Sequence, residues 1–151
     1  MSYVRHILQP GENLRHVSRL HWIVYLPGFA LLAVGFAGFT LAPRNESWPL
    51  AGVLIAIVFS LGVASVAHAW FRRWTTEIAV TDRRVIYKCG FIRRHTIEMN
   101  MDKIESVDVD QSIVGRILDY GTITVRGTGT GIEPLYRIDS PIAFRNFVTA
   151  A

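Results

Sequence analysis

Two carboxylates, Asp108 and Asp110, alternate with Ile104 and Ser106 on one face of a short stretch. Held side by side on a strand, such a pair can bind a hard cation or exchange protons. Alternating charge on a solvated strand face is the commoner cause of the pattern. Gly127-Thr128-Gly129-Thr130-Gly131 has the composition of a phosphate cradle. It lacks the Lys-Ser/Thr of a P-loop and a following helix whose N-terminus would meet an anion, so it reads as a hairpin loop. His6, His16, His21, His68 and His95 keep no zinc spacing with Cys89, and no serine or cysteine has a base close by in sequence. The expectation is therefore a non-enzyme with no catalytic residue, no metal, no cofactor and no small-molecule substrate. The basic residues are interleaved with acidic ones, which argues against nucleic acid. What remains is a set of arginines suited to a membrane surface: Arg72, Arg73, Arg83, Arg84, Arg93 and Arg94. Each basic group beside an anionic leaflet is worth about 1 kcal/mol. For Arg72 and Arg73, a role in setting topology alone explains their place equally well.

The elements that would position these arginines divide sharply. The chain has 151 residues, net charge +4 and 50% hydrophobic residues, yet only Arg44 and Glu46 are charged between Trp22 and Phe71. A helix over Trp22 to Leu41 reaches about 30 Å at about 1.5 Å per residue, the thickness of a hydrocarbon core. Leu50 to Trp70 is a second uncharged run, and the short connection from Ala42 to Pro49 allows only an antiparallel hairpin. A cleaved leader fits poorly, because polar residues precede the first run and Pro43 follows Ala42. Arg5, Arg15 and Arg19 before the first span and Arg72 and Arg73 after the second outweigh Arg44 in the loop, which places both termini in the cytoplasm at a plasma (inner) membrane. Trp22, Tyr25, Trp48, Trp70, Phe71 and Trp74 mark the boundaries.

Gly52, Ala56, Ser60 and Ala64 recur four apart on the second span, a helix-packing stripe whose partner is either the first span, with Gly28, Gly35 and Gly38, or another copy. His68 reads as a boundary histidine. The absence of Asp, Glu, Lys and Arg from both spans argues against a transporter or channel.

After Arg73 the pattern changes to short β-branched segments between turn residues: Thr76 to Val80, Val85 to Lys88, Arg93 to Met99, Ile104 to Asp110, Thr122 to Arg126 and Pro134 to Ile138. Ile113, Val114, Ile117 and Leu118 predict a helical turn or two, stopped near Gly121. Ser140 as N-cap, Pro141 at the first helical position, and the apolar face of Ala143, Phe144, Phe147 and Val148 predict a closing C-terminal helix.

The stretches Thr81-Asp82-Arg83-Arg84-Val85-Ile86, Gly90 with Arg93 and Arg94, Lys103-Ile104-Glu105-Ser106-Val107, Gln111-Ser112, and Gly115-Arg116-Ile117-Leu118-Asp119-Tyr120-Gly121-Thr122-Ile123-Thr124-Val125 resemble, in order and spacing, the bacterial pleckstrin-homology (PH) domain of the YdbS-like membrane proteins. The resemblance covers about residues 72 to 150 and implies a seven-stranded bent antiparallel sheet with one C-terminal helix. Only six strands are legible, which places the seventh near the glycine-rich loop. The expected organisation is a cytoplasmic segment 1–20, a transmembrane hairpin 21–71 and a cytoplasmic PH-like domain 72–151. The family has no established activity to carry over. The connection at Asp82-Arg83 is too short for the long basic loop with which eukaryotic PH domains bind phosphoinositides. The expected function is a membrane-anchored binding or scaffold module meeting anionic lipid, a protein partner or its own copies; the alternative is an accessory subunit of a larger membrane enzyme or transporter complex.

Overall fold

The nearly charge-free part of the chain folds as two helices, α1 (Leu26–Leu41), entered through a 3-10 turn (Trp22–Tyr25), and α2 (Trp48–Thr75). The structure, a computed structural model, describes residues 8–42, 48–90, 95–128 and 134–149. Both helices are apolar and long enough to cross a membrane. Glycine brings them together. A Cβ on Gly28 would lie 2.6 Å from Val66 Cγ2 and 3.0 Å from Val66 N, and one on Gly62 would lie 3.0 Å from Leu32 N. Only hydrogen fits there, so the two backbones approach as closely as small-residue packing permits. The contact face of α2 runs through Ile55, Phe59, Gly62 and Val66. The Gly52, Ala56, Ser60, Ala64 stripe lies on another face: Ala56, Ser60 and Ala64 are exposed, and a Cβ on Gly52 would meet nothing within 4 Å. Of the two partners open in the sequence, α1 is not the one that packs on this stripe.

The remaining residues form a second unit that joins the segment before Trp22 to the segment after Phe71. Among the described residues it holds seven strands: β1 (Leu14–Ser18), β2 (Glu77–Thr81), β3 (Arg84–Cys89), β4 (His95–Asn100), β5 (Ile104–Asp110), β6 (Tyr120–Gly127) and β7 (Leu135–Asp139). They make two antiparallel sheets, in the orders β1-β2-β3-β4 and β5-β6-β7. The six strands read from sequence all form within two residues of their expected ends. Among the described residues, the seventh comes from ahead of the first apolar run. Of the glycine-rich loop, residues 129–133 lie outside the described residues.

β1 pairs with β2 through Leu14↔Thr81, His16↔Val80, Val17↔Ala79 and Ser18↔Ile78. The next residues cross to the other sheet, where Leu20 bridges Ile138, His21 N donates to Arg137 O at 2.7 Å, and Asp139 N donates to Arg19 O at 3.0 Å. One short segment thus borders both sheets. Between the sheets, Ile78, Val80, Val85, Ile123, Val125 and Ile138 are buried with Phe144. Phe144 belongs to α4 (Pro141–Thr149), which packs against β1, β2, β5 and β6. Phe147 is exposed and stacks on His16 with ring centroids 4.8 Å apart. Ser140 has φ +48°, and its hydroxyl donates to Asp119 Oδ2 at 2.7 Å, so it is not the extended N-cap that its position suggests.

Candidate functional site at the two ends of the sheet domain

Because β1 and β2 are antiparallel neighbours, the chain leaves the sheet domain and returns to it at one end of this strand pair. Ser18 and Ile78 face each other there, and Arg19 lies 3.7 Å from Glu77. The domain's last residue before the apolar unit is His21. On the return, Thr76 N donates to Arg72 O as α2 ends, and β2 starts at Glu77. No linker separates helix from strand. Arg72 and Arg73 occupy the last turns of α2, where cations complement the carbonyl end of the helix dipole. Arg72 is exposed and Arg73 half-buried.

The opposite end of the pair carries the Thr81-Asp82-Arg83-Arg84 turn. Its arginines do not act alike. Arg84 places Nε 3.0 Å from Glu12 Oε1 and one terminal nitrogen 2.8 Å from Glu12 Oε2, while the other terminal nitrogen meets Glu98 Oε2 at 2.8 Å. The side chain of Glu12 is fully buried, and only 13% of that of Arg84 is exposed. The Thr81 hydroxyl donates to Glu12 Oε1 at 2.8 Å and accepts from the amides of Arg83 and Arg84. Burial pushes the Glu12 carboxyl up, but the Gln9 amide, the Arg84 guanidinium and the Thr81 hydroxyl outweigh it and hold the group below the usual carboxylate range. The Arg84 guanidinium is raised by the same carboxylate. Asp82 completes the clasp by accepting from Asn13 N at 3.1 Å. Through Arg84, the motif that reads as a basic surface in sequence fastens the segment before the hairpin to the turn after it.

Arg83 is exposed, beside a cavity of about 420 Å³ lined by Gln9, Asp82, Arg84, Asn100, Met101 and Asp102. Two carboxylates at its rim offset the cation. The five-residue strand β2 separates this turn from the exit end by roughly 15 Å at about 3.3 Å per residue. Arg93 and Arg94 lie outside the described residues; the residues flanking them, Cys89 and His95, are cross-strand partners at the Glu77 end of the sheet. Asp108 is held by Arg126 at 3.0 Å on an exposed face.

At the exit end lies a feature whose facing the sequence left open. The predicted helical turn exists as α3 (Ile113–Ile117), within the β5–β6 connection. Its apolar residues are not buried: Ile113 is 80% exposed, Val114 53% and Ile117 77%. The connection is nevertheless tightly built. Ser112 Oγ accepts from Gly115 N at 3.0 Å, and Gln111 Nε2 donates to Tyr120 O at 3.2 Å. A Cβ on Gly115 would fall 2.6 Å from Tyr120 O, and Asp119 takes φ +54° to turn the chain into β6. His21 stacks on Tyr120 with centroids 5.2 Å apart, which sets this connection beside the point where the chain leaves for the first apolar helix. The Gln111-Ser112 and Gly115 to Gly121 residues are thus scaffold. The signal that was available is the run of four aliphatic residues in a connection too short to bury them.

No curated protein matches the chain, and no solved structure does. The model of the bacterial PH domain family matches residues 23–151. That match runs through both apolar helices, every strand except β1, and α4, so it takes in the turn with Arg84 and the whole α3 connection. On this match, which spans most of the sequence, the chain belongs to the bacterial PH domain family.

Proposed function

We propose that the protein is a non-enzymatic, membrane-anchored PH-like binding module, with its apolar hairpin spanning the plasma (inner) membrane, both termini in the cytoplasm, and the sheet domain closed by α4. The observation that carries this reading is the place of the hairpin: it is the connection between two adjacent strands of one small domain. A binding module so connected is tethered twice, with little slack at either attachment. Arg72 and Arg73 at the end of α2 are the basic residues offered to anionic lipid, and Arg93 and Arg94 are further candidates by their charge alone; Arg83 and Arg84 are left out, one distant from the exits and the other paired with Glu12. A protein partner or a second copy of the chain meets the module within the bilayer, a role favoured by the exposed Ala56, Ser60, Ala64 face.

Cysteine-accessibility labelling in a Cys89→Ser background tests the anchoring. Ser47→Cys is expected to react with an impermeant reagent from outside, and Thr128→Cys only after the inner face is opened. Labelling of Thr128→Cys from outside would overturn the orientation, and inside labelling of both would overturn the span assignment.

A further inference from the structure

We propose that α3 is a second, shallow membrane contact: Ile113, Val114 and Ile117 sit in the headgroup–acyl boundary of the bilayer that carries the hairpin, with Arg116 on lipid phosphates. The inference rests on the anchored reading above and adds to it a defined contact of the domain with lipid.

Three observations converge. The first is the exposure of three aliphatic side chains on one turn of helix, a contiguous apolar knob of the kind that marks an interaction surface. The second is rigidity. The Ser112 cap, the Gln111 hydrogen bond to Tyr120 O and the absence of room for a side chain at Gly115 prevent the helix from rolling its apolar face inward. The third is position, which identifies the occupant. Tyr120, the residue against which Gly115 packs, is stacked on His21, the last residue of the domain before the first apolar helix. The knob and the chain's route into the bilayer therefore share one end of the domain. Arg116 is exposed between Val114 and Ile117, the carboxylate of Asp119 is engaged by the Ser140 hydroxyl, and the exposed Asp110 and Asp139 lie on the strands behind the turn. An exposed aliphatic turn with a cation on it suits an anionic lipid surface, where interfacial helices sink their apolar face about 5–10 Å.

The test uses the full chain with Cys89→Ser, reconstituted at one copy per nanodisc in mixed anionic and neutral lipid. Ile117→Cys is labelled with an environment-sensitive fluorophore; Ile57→Cys on α2 and Thr96→Cys on β4 serve as references. Ile117 is expected to show a blue-shifted emission and several-fold stronger quenching by a shallow nitroxide lipid than Thr96, and Ile113→Cys the same. Ile57 is expected to be quenched by a deep nitroxide. Quenching at Ile57 with water-like emission at Ile117 would overturn the contact while leaving the anchored reading intact; loss of quenching at Ile57 would overturn both. A blue shift at Ile117 that resists nitroxide lipid, or arises only in discs holding several copies, would assign the knob to a protein surface and defeat the lipid proposal.

Discussion

The two ends of the sheet domain invert the usual placement of side chains. At the far end a carboxylate is buried against a mostly covered guanidinium; at the exit end three aliphatic residues face outward. In both places the backbone decides. Thr81 and the Gln9 amide complete the coordination of Glu12, so that the cost of burying charge is offset by hydrogen bonds. The Gln111 and Ser112 bonds hold α3 away from the core, where its apolar residues would otherwise collapse. An inward charge that is fully partnered is a structural joint, and an outward apolar group held rigid is a surface with a use.

The strongest way to break this contrast is to remove one member of the buried pair. Glu12→Ala leaves Arg84 without its main partner, and losing half of a buried pair typically costs about 3–5 kcal/mol. Thermal unfolding of the full chain is expected to fall accordingly, while the exposed Arg83→Gln stays within about 0.5 kcal/mol of the parent. Equal effects from the two changes would end the distinction between these neighbouring arginines. The same pair sets an acid dependence. Since the folded Glu12 carboxyl sits below its unfolded value, its stabilisation is complete above the usual Glu titration range and is lost as pH falls through the folded value. Glu12→Ala is expected to flatten that part of the stability profile.

At the other end, Gly115→Ala drives a methyl group into the Tyr120 carbonyl and is expected to cost about 1–3 kcal/mol, read by the same unfolding measurement. No loss would mean that α3 is free to shift. In the hairpin, Gly62→Leu is expected to destabilise α1–α2 packing by a similar 1–3 kcal/mol, roughly. Ala64→Leu, on the exposed face, is expected to leave detergent stability unchanged and alter only the yield of crosslinked oligomers. The smallest effect belongs to Ile113→Ser with Ile117→Ser, expected within about 0.5 kcal/mol because nothing in the domain covers them. A large loss there would place the knob in the core and erase the comparison.

Periodicity carried the hairpin and the six strands because long uncharged runs and alternating β-branched residues report burial directly. β1 escaped because Leu14-Arg15-His16-Val17-Ser18 alternates weakly and its partner lies beyond two apolar helices, a pairing no local window contains. The pairing of Arg84 was not legible for the same reason: its counter-ion, Glu12, is 72 residues away in sequence. The glycine pattern of the α1–α2 contact was half legible. Gly28 and Gly35 stood out, whereas Gly62 hides outside the four-residue stripe that drew attention to Gly52 and Ala64. For α3 the helix was legible and its facing was not, because apolar spacing says which residues align and not which side is covered.

The insertion of the hairpin between β1 and β2 orders the events of biosynthesis. β1 and Glu12 emerge first and wait for partners that are made only after both helices, so closing this pairing carries the entropy of a long loop. If the hairpin spans the bilayer as proposed, β1 and β2 lie on one side of it only when the chain has crossed an even number of times. A nascent chain threaded once leaves β1 on one side and β2 on the other, with a bare strand edge and an unpaired Glu12 exposed to proteolysis. On the anchored reading proposed above, closing the β1–β2 pair would distinguish a chain threaded twice from one threaded once.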